Sequence, residues 1–204
     1  MVYIDAFNLY YGALKGTSYK WLDILQLSKT LLHPDNVIAG IKYFTALVSP
    51  RQNDPGQLTR QKIYLRALRS IKADIVYGRY LSHVVQAYRA NWKQGEPRMV
   101  DIVKTEEKGS DVNIASHMLM DAFTGKYDCA VLISGDSDLT APVRMVRHDL
   151  HKAVGVLNPQ RHECKTLKQT ATFYKHIREP ALASAQFSPV LSDEQGNFHK
   201  PAEW

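Results

Sequence analysis

The chain has 204 residues, of which 45% are hydrophobic and 23% charged, so it is long enough for one sizeable core and lacks the composition of a disordered chain. Lysine and arginine outnumber aspartate and glutamate by 26 to 20, and the formal charge of +6 favours a polyanionic partner, although a solubilising surface charge gives the same total. Only Cys129 and Cys164 are present, which excludes a disulfide scaffold or a cysteine zinc site; we expect a cytosolic protein without export signal or membrane span.

The first part of the chain alternates strand patterns with helical ones. Residues 2–4 form a short apolar strand, residues 22–32 have a helical period, and residues 38–48 are the second strand. Residues 57–71 predict a surface helix with a basic flank, and residues 73–81 are the third strand. This alternation is typical of strand–helix–strand units around a parallel sheet.

The next segment predicts an arm. Residues 83–98 combine aromatic and basic side chains with the turn signal Gln94-Gly95-Glu96-Pro97, and residues 99–103 are apolar enough to return as a strand. We therefore predict a β-hairpin arm over about 82–99, with a basic and aromatic tip.

The second half repeats the alternating pattern. Residues 111–123 and 139–150 are helical, and residues 129–133 and 153–157 are strands. The complete order predicts an α/β fold, a three-layer α/β/α sandwich with a central, mostly parallel sheet. We expect one domain over 1–178 and an irregular tail over 179–204, which Trp204 is able to dock.

Two polar residues follow the first strand directly. Asp5 ends the run Tyr3-Ile4-Asp5, and Asn8 comes three residues later. Because ligands of open parallel sheets bind at the carboxyl ends of the strands, Asp5 is a candidate site residue. Capping of the following helix is the competing interpretation for both residues.

Two further groups of acidic residues stand at comparable places. Asp136 and Asp138 follow the strand 129–133 in a Ser-Gly-Asp-Ser-Asp turn, and Asp111 begins the helix that leads into that strand. Each can be explained singly as a helix cap or turn residue. If the sheet order brings these strands together, however, the carboxylates meet in one crevice, and a hard divalent cation such as Mg²⁺ or Mn²⁺ is the economical counter-charge.

Three blocks carry a resemblance to a known family. They are Asp5-x-x-Asn8, Glu107-Lys108-Gly109-Ser110-Asp111-Val112 and Ser134-Gly135-Asp136-Ser137-Asp138, and they resemble the signature blocks of NYN-domain proteins, within the PIN-like nuclease superfamily. The likeness runs in order from about Val2 to Ile177. It implies a PIN-like sandwich that cleaves RNA at a Mg²⁺ or Mn²⁺ centre, with metal ligands Asp5, Asp111, Asp136 and Asp138 and Asn8 as an accessory catalytic residue.

RNA, single-stranded or structured, is the expected partner, and self-association is compatible with the sequence. The candidate RNA-binding side chains are basic or aromatic and lie on the 57–71 helix, on the arm, and just before or within the second block. They are Lys62, Arg66, Arg69, Arg89, Trp92, Lys93, Lys104 and Lys108. Ordinary surface charge and core aromatics remain the alternative for all of them.

Other α/β families fit less well. A haloacid dehalogenase-type phosphatase needs a second Asp two residues after the first, where this chain has Phe7. The adjacent early acids of a response regulator and the G-x-G-x-x-G turn of a dinucleotide-binding fold are absent from the sequence. The remaining alternative to a metal-dependent ribonuclease is a non-catalytic RNA-binding or regulatory module that keeps the PIN-like fold.

Overall fold

A computed structural model describes residues 1–50 and 53–204. The strands in this part of the chain are Val2–Asp5 (β1), Ile41–Thr45 (β2), Asp74–Tyr77 (β3), Arg79–Tyr88 (β4), Met99–Lys108 (β5), Cys129–Ile133 (β6), Ala153–Asn158 (β7), Phe173–His176 (β8), Val190–Asp193 (β9) and Gly196–His199 (β10). The α-helices are Ala6–Leu9 (α1), Ile24–Leu31 (α2), Gln57–Ser70 (α3), Ser110–Phe123 (α4), Thr140–Arg144 (α5), Lys165–Thr170 (α6) and Glu179–Ser184 (α7). Helix α1 continues into a π-helical turn, and α5 is preceded by a 3-10 turn and followed by a π-helical turn.

Six strands form one parallel sheet in the order β3-β2-β1-β6-β7-β8. Its two faces are covered by separate apolar layers, as alternation along β1 shows: Val2 and Ile4 pack into one layer and Tyr3 into the other. The first layer includes residues of α2, α3 and α7, and the second includes residues of α4, α5 and α6. The predicted three-layer α/β/α sandwich is therefore confirmed.

The sheet order places a topological switch point between β1 and β6. From β1 the chain builds outward through β2 to β3, and later from β6 through β7 to β8 on the other side. A crevice opens at such a point beyond the carboxyl ends of the two central strands. Asp5 is the last residue of β1 and Ser134 is the first residue after β6, so both lie at this crevice.

The predicted arm is confirmed and is longer than the sequence indicated. Strands β4 and β5 pair antiparallel over ten residues each, from Arg79 opposite Lys108 to Tyr88 opposite Met99. The arm also stays close to the switch point, because Phe7 of α1 makes an edge contact with Tyr80 at 5.8 Å between ring centroids.

The expectation of an irregular tail is wrong. The segment 179–204 contains α7 and the β9–β10 hairpin, and it packs on the α3 side of the sheet. The reason is apolar burial: Phe187, Phe198 and Trp204 surround the fully buried Trp21, with ring centroids 5.7 to 6.5 Å from it. These three residues are spaced irregularly along the chain, so no hydrophobic periodicity in the sequence predicts their contact with Trp21. The proposed docking role of Trp204 fits this packing.

The sequence interpretation also missed α6 and the edge strand β8, which are six and four residues long. Such short elements carry too few residues for a period to be recognised. Among the described residues, no helix combines the length and the apolarity that crossing a bilayer requires.

Candidate active site

Asp5 is the most deeply buried carboxylate at the switch point, with 4% of its surface exposed. Its Oδ1 accepts a hydrogen bond from the Asn8 backbone N at 2.9 Å, and its Oδ2 accepts one from Ser134 Oγ at 3.0 Å. Burial raises the pKa of Asp5 to about 6, against the lowering effect of these two hydrogen bonds, and the charges of Asp111 and Asp136 raise it further. The Asp5 side chain therefore caps α1 and also belongs to the candidate site.

Asn8 connects the first block to the turn after β6. Its Oδ1 accepts hydrogen bonds from the Gly135 backbone N at 2.8 Å and from Gln160 Nε2 at 3.0 Å. The turn approaches its neighbours so closely that a Cβ at Gly135 would stand 2.4 Å from Asn158 Oδ1, which explains the glycine. Asn8 thus fixes the position of the turn that carries the next acidic residues.

Asp136 and Asp138 lie on that turn with different roles. Asp136 caps the short 3-10 turn, since its Oδ1 accepts a hydrogen bond from the Asp138 backbone N at 2.9 Å. Its own backbone N donates to Ser134 Oγ at 3.1 Å, the hydroxyl that also donates to Asp5. Asp136 is half-buried and Asp138 is exposed. Ser134 therefore holds Asp5 and the Asp136 turn together.

Asp111 lies in the first turn of α4, which packs in the same layer as the helix that follows Asp138. Partial desolvation raises its pKa, and the negative charges of Asp136, Glu107 and Asp138 raise it further. Glu107 is fixed by hydrogen bonds to its Oε1 from the backbone N and the hydroxyl of Ser110, at 3.2 and 2.9 Å. The structure thus brings the predicted acidic residues into one electrostatically coupled group, and Glu107 joins it.

The acidic group forms no direct ion pair with a basic side chain among the residues that the structure describes. In the described ranges 1–50 and 53–204, no lysine, arginine or histidine forms an ion pair within 4.0 Å with Asp5, Glu107, Asp111, Asp136 or Asp138. Carboxylates that raise one another's pKa are stabilised by a bound cation or a proton. The donor chemistry therefore fits a hard divalent cation.

The geometry sets a limit on that fit. Among the described residues, no three His, Cys, Asp or Glu side chains converge closely enough to form a metal-binding group by themselves. A closed cage of protein ligands is thus not present. Mg²⁺ is usually held by one or two carboxylates and several waters, and the residues here match that open arrangement better than a cage.

The predicted RNA-binding residues of α3 have different environments. Lys62 and Arg69 are exposed, and Arg69 donates a hydrogen bond to Tyr77 Oη at 2.7 Å. Arg66 instead holds the tail: its guanidinium donates to both carboxylate oxygens of Asp193 at 2.7 and 2.6 Å and lies 4.2 Å from the ring centroid of Phe198. We therefore revise the assignment of Arg66 to a structural one, because its Nε and Nη2 already donate to the tail.

The predicted RNA-binding residues of the arm are also partly engaged. Arg89 pairs with Glu96, and Trp92 Nε1 donates to the Glu96 carbonyl oxygen at 2.6 Å, so both residues stabilise the tip, while Lys93 there is exposed. Lys104 and Lys108 lie 2.6 and 3.1 Å from the Glu106 carboxylate, and their hydrogen bonds lower its pKa to about 2. These two lysines therefore share one carboxylate of their own strand, and the group of three keeps a net positive charge.

Besides Glu107, two residues of the site were missed from the sequence. Asn158 ends β7 and is fully buried, and its Oδ1 accepts a hydrogen bond from the Gln160 backbone N at 2.9 Å. Gln160 in turn holds Asn8. A signal for Asn158 was present, because it follows an apolar strand at the same place as Asp5 follows β1. Gln160 gives no such signal.

Comparisons with known proteins identify the family and the fold of the chain. The family model of the NYN domain matches residues 1–177. One relative, the 6-hydroxy-3-succinoylpyridine 3-monooxygenase HspA of Pseudomonas putida, is 30% identical over 232 aligned positions that cover all of this chain and 74% of the relative. A crystal structure of a protein of unknown function from Vibrio parahaemolyticus is similar in fold, with a TM-score of 0.56 and 19% identity over 91% of this chain and 94% of that one.

Proposed function

The chain belongs to the NYN domain family, and from this premise we propose that it is a ribonuclease that hydrolyses phosphodiester bonds at an acidic, Mg²⁺- or Mn²⁺-dependent site. One observation carries the proposal. A buried carboxylate at the switch point, Asp5, is coupled to Asp111 and Asp136, and no basic side chain of the described ranges pairs with it. Burying an uncompensated carboxylate lowers the stability of the folded state, and residues that are unfavourable for stability in this way are typical of functional sites.

The proposal assigns each polar residue a role. Asp5 and Asp136 would hold the cation, and Asp111 and Asp138 would add negative charge beside it. When bound, the cation would activate water and stabilise the negative charge that develops on the phosphodiester. Asn8 and Ser134 are positioning residues, because their hydrogen bonds fix the turn of Asp136 and the carboxyl of Asp5.

The test is metal-dependent cleavage of labelled single-stranded and hairpin RNA. We expect cleavage with Mn²⁺ or Mg²⁺, none with EDTA, and at least a hundredfold slower cleavage by Asp136→Asn, since removing a charge that acts in the transition state costs about 3 kcal/mol or more. Asparagine retains the side-chain oxygen that accepts from the Asp138 backbone N, so the turn is preserved. Asp149→Asn, at an exposed aspartate after α5, is the matched control and keeps wild-type activity.

A second candidate is a non-catalytic RNA-binding module with the same fold. It predicts RNA binding without cleavage, equally for wild type and Asp136→Asn and with every divalent metal tried. That result would replace the ribonuclease proposal. Matched DNA strands in the same assay establish which nucleic acid is the substrate.

A third candidate rests on the relative of 30% identity, whose name describes a monooxygenase acting on 6-hydroxy-3-succinoylpyridine. Incubation of the protein with that compound, dioxygen and a two-electron reductant tests it directly. Oxidation of the pyridine that depends on the protein, in a preparation inert toward RNA, would favour this reaction over the ribonuclease.

A further inference from the structure

An open cavity of about 670 Å³ lies next to the acidic residues, on the β7–β8 side. Its walls come from residues 12–19, which include the end of the π-helical turn, from residues 159–161 after β7, and from residues 176–182 after β8. Gln160 belongs to the wall and also donates a hydrogen bond to Asn8, which is itself bonded to the Gly135 turn. Gln160 therefore connects the cavity to the acidic site.

The charge of this cavity is opposite to that of the acidic site. Lys15, Arg161 and Arg178 line it, and the acidic lining residue is Glu179, whose Oε1 accepts a hydrogen bond from Tyr19 Oη at 2.8 Å. In the described part of the chain, neither arginine has a carboxylate within 4.0 Å. These guanidinium groups are therefore available for an anionic ligand.

The shape and lining indicate which anion fits. A site for a small molecule is usually enclosed and mostly apolar, whereas this cavity is open, and its cations and hydroxyls stand beside a smaller apolar part formed by residues such as Ile177 and Leu182. Beside it, Tyr11 is 56% exposed, with the Lys15 Nζ 5.0 Å from its ring centroid. Cations that follow a backbone, together with an exposed aromatic ring for a base, are the features of a single-strand binding groove.

We propose that this cavity binds the sugar-phosphate backbone of a single RNA strand whose scissile phosphate lies at the acidic residues, with Arg161 and Arg178 contacting phosphates and Tyr11 stacking on an unpaired base. This inference rests on the proposed ribonuclease function. It implies that the bound RNA strand runs from the acidic residues near β1 toward β8. It also assigns the main RNA surface to this cavity instead of to α3.

The test measures RNA binding separately from cleavage. A fluorescent single-stranded RNA of about twelve nucleotides is titrated with the Asp136→Asn protein over a range of salt concentrations, by anisotropy. We expect Arg161→Ala/Arg178→Ala to reduce the slope of log K against log salt by about 1.4, because each lost phosphate contact on a single strand removes about 0.7. Extrapolated from 1 M to 0.1 M salt, that slope change weakens binding roughly 25-fold.

Three further variants isolate the cause. Arg161→Lys/Arg178→Lys retains the charge and should retain most of the slope. Lys29→Ala/Lys165→Ala removes two exposed cations outside the cavity and should leave binding unchanged. Lys62→Ala/Arg69→Ala tests the competing α3 surface. Both arginines of the cavity are exposed and form no ion pair with the described residues, so circular dichroism should show an unchanged fold for their alanine variants.

The outcomes separate this inference from the proposed function. If wild type cleaves the RNA while the cavity variant binds and cleaves like its parent, or if the loss falls on the α3 variant alone, the cavity assignment is overturned and the ribonuclease stands. If wild type neither binds nor cleaves RNA while 6-hydroxy-3-succinoylpyridine binds in the cavity, both are overturned. Weaker binding by the alanine variant with retention by the lysine variant supports the assignment.

Discussion

Replacing Asp5 with asparagine should stabilise the protein at neutral pH while removing its activity. The rise in the pKa of Asp5 from 3.8 to about 6 means that the folded state disfavours the charged form by about 3 kcal/mol above pH 6. Asparagine can still accept the hydrogen bond from the Asn8 backbone N, but its amide opposes the Ser134 hydroxyl, which costs about 1 kcal/mol. The expected net gain is about 2 kcal/mol.

The sign of this effect depends on pH in a defined window. Because the folded protein holds the Asp5 proton more tightly than the unfolded chain, wild-type stability falls as pH rises from about 3.8 to about 6. The variant lacks this loss. Its advantage should therefore be fully present at pH 7.5 and should shrink to about zero near pH 4.5.

Urea unfolding of wild type and Asp5→Asn in EDTA at these two pH values measures the advantage. Asp149→Asn, whose carboxylate is exposed, is the control and should change stability little at either pH. Adding Mg²⁺ or Mn²⁺ should stabilise wild type and not Asp5→Asn. A variant that is destabilised equally at both pH values would refute the reasoning, because the cost would then come from lost hydrogen bonds and not from buried charge.

Three other substitutions should affect stability without touching the acidic site. Asp121→Asn should lower the free energy of unfolding in urea by about 3 kcal/mol, because this buried carboxylate pairs with two lysines. Burial raises the pKa of Asp121, but its hydrogen bonds outweigh that effect and lower the pKa. The stability difference from wild type should therefore fade only at acidic pH. Arg66→Met should loosen the tail hairpin and make the segment near Asp193 sensitive to limited proteolysis while RNA cleavage persists. Gly155→Ala should lower the thermal midpoint by several degrees, an expected loss of about 1 to 3 kcal/mol, because its Cβ would stand 1.9 Å from the ring of Phe173; an unchanged midpoint would show that this ring moves freely.

The central part of the site could be predicted because its signals are local. Asp5 and Asp136 each follow a buried apolar strand almost directly, and parallel strands deliver such residues to one edge of a sheet. The adjacency of β1 and β6 is not local information, but the common βαβ pattern restricts the sheet order to few choices. That is why the acidic group was anticipated although each aspartate also had a capping role, which Asp136 does fulfil.

What failed to be predicted depends on partners distant in sequence. Arg66 resembles any exposed helical arginine, and only its pairing with Asp193, 127 residues later, removes it from the RNA-binding candidates. The sequence likewise does not show that Arg161 and Arg178 lack an ion pair among the described residues, because this depends on where the fold places the carboxylates. Similarly, Phe187 and Trp204 carry no period that reveals their packing on Trp21.

The tail that packs on Trp21 affects where the chain can be divided. The family match stops at residue 177, yet α7 and the β9–β10 hairpin continue the same apolar layer. A protein truncated after residue 177 would expose Trp21 and Tyr64 to water and present an aromatic surface that favours aggregation. Homologues that are expressed as the shared domain alone should therefore aggregate wherever aromatic residues of the tail pack in the same way. The boundary for expressing this protein is set by packing and not by sequence similarity.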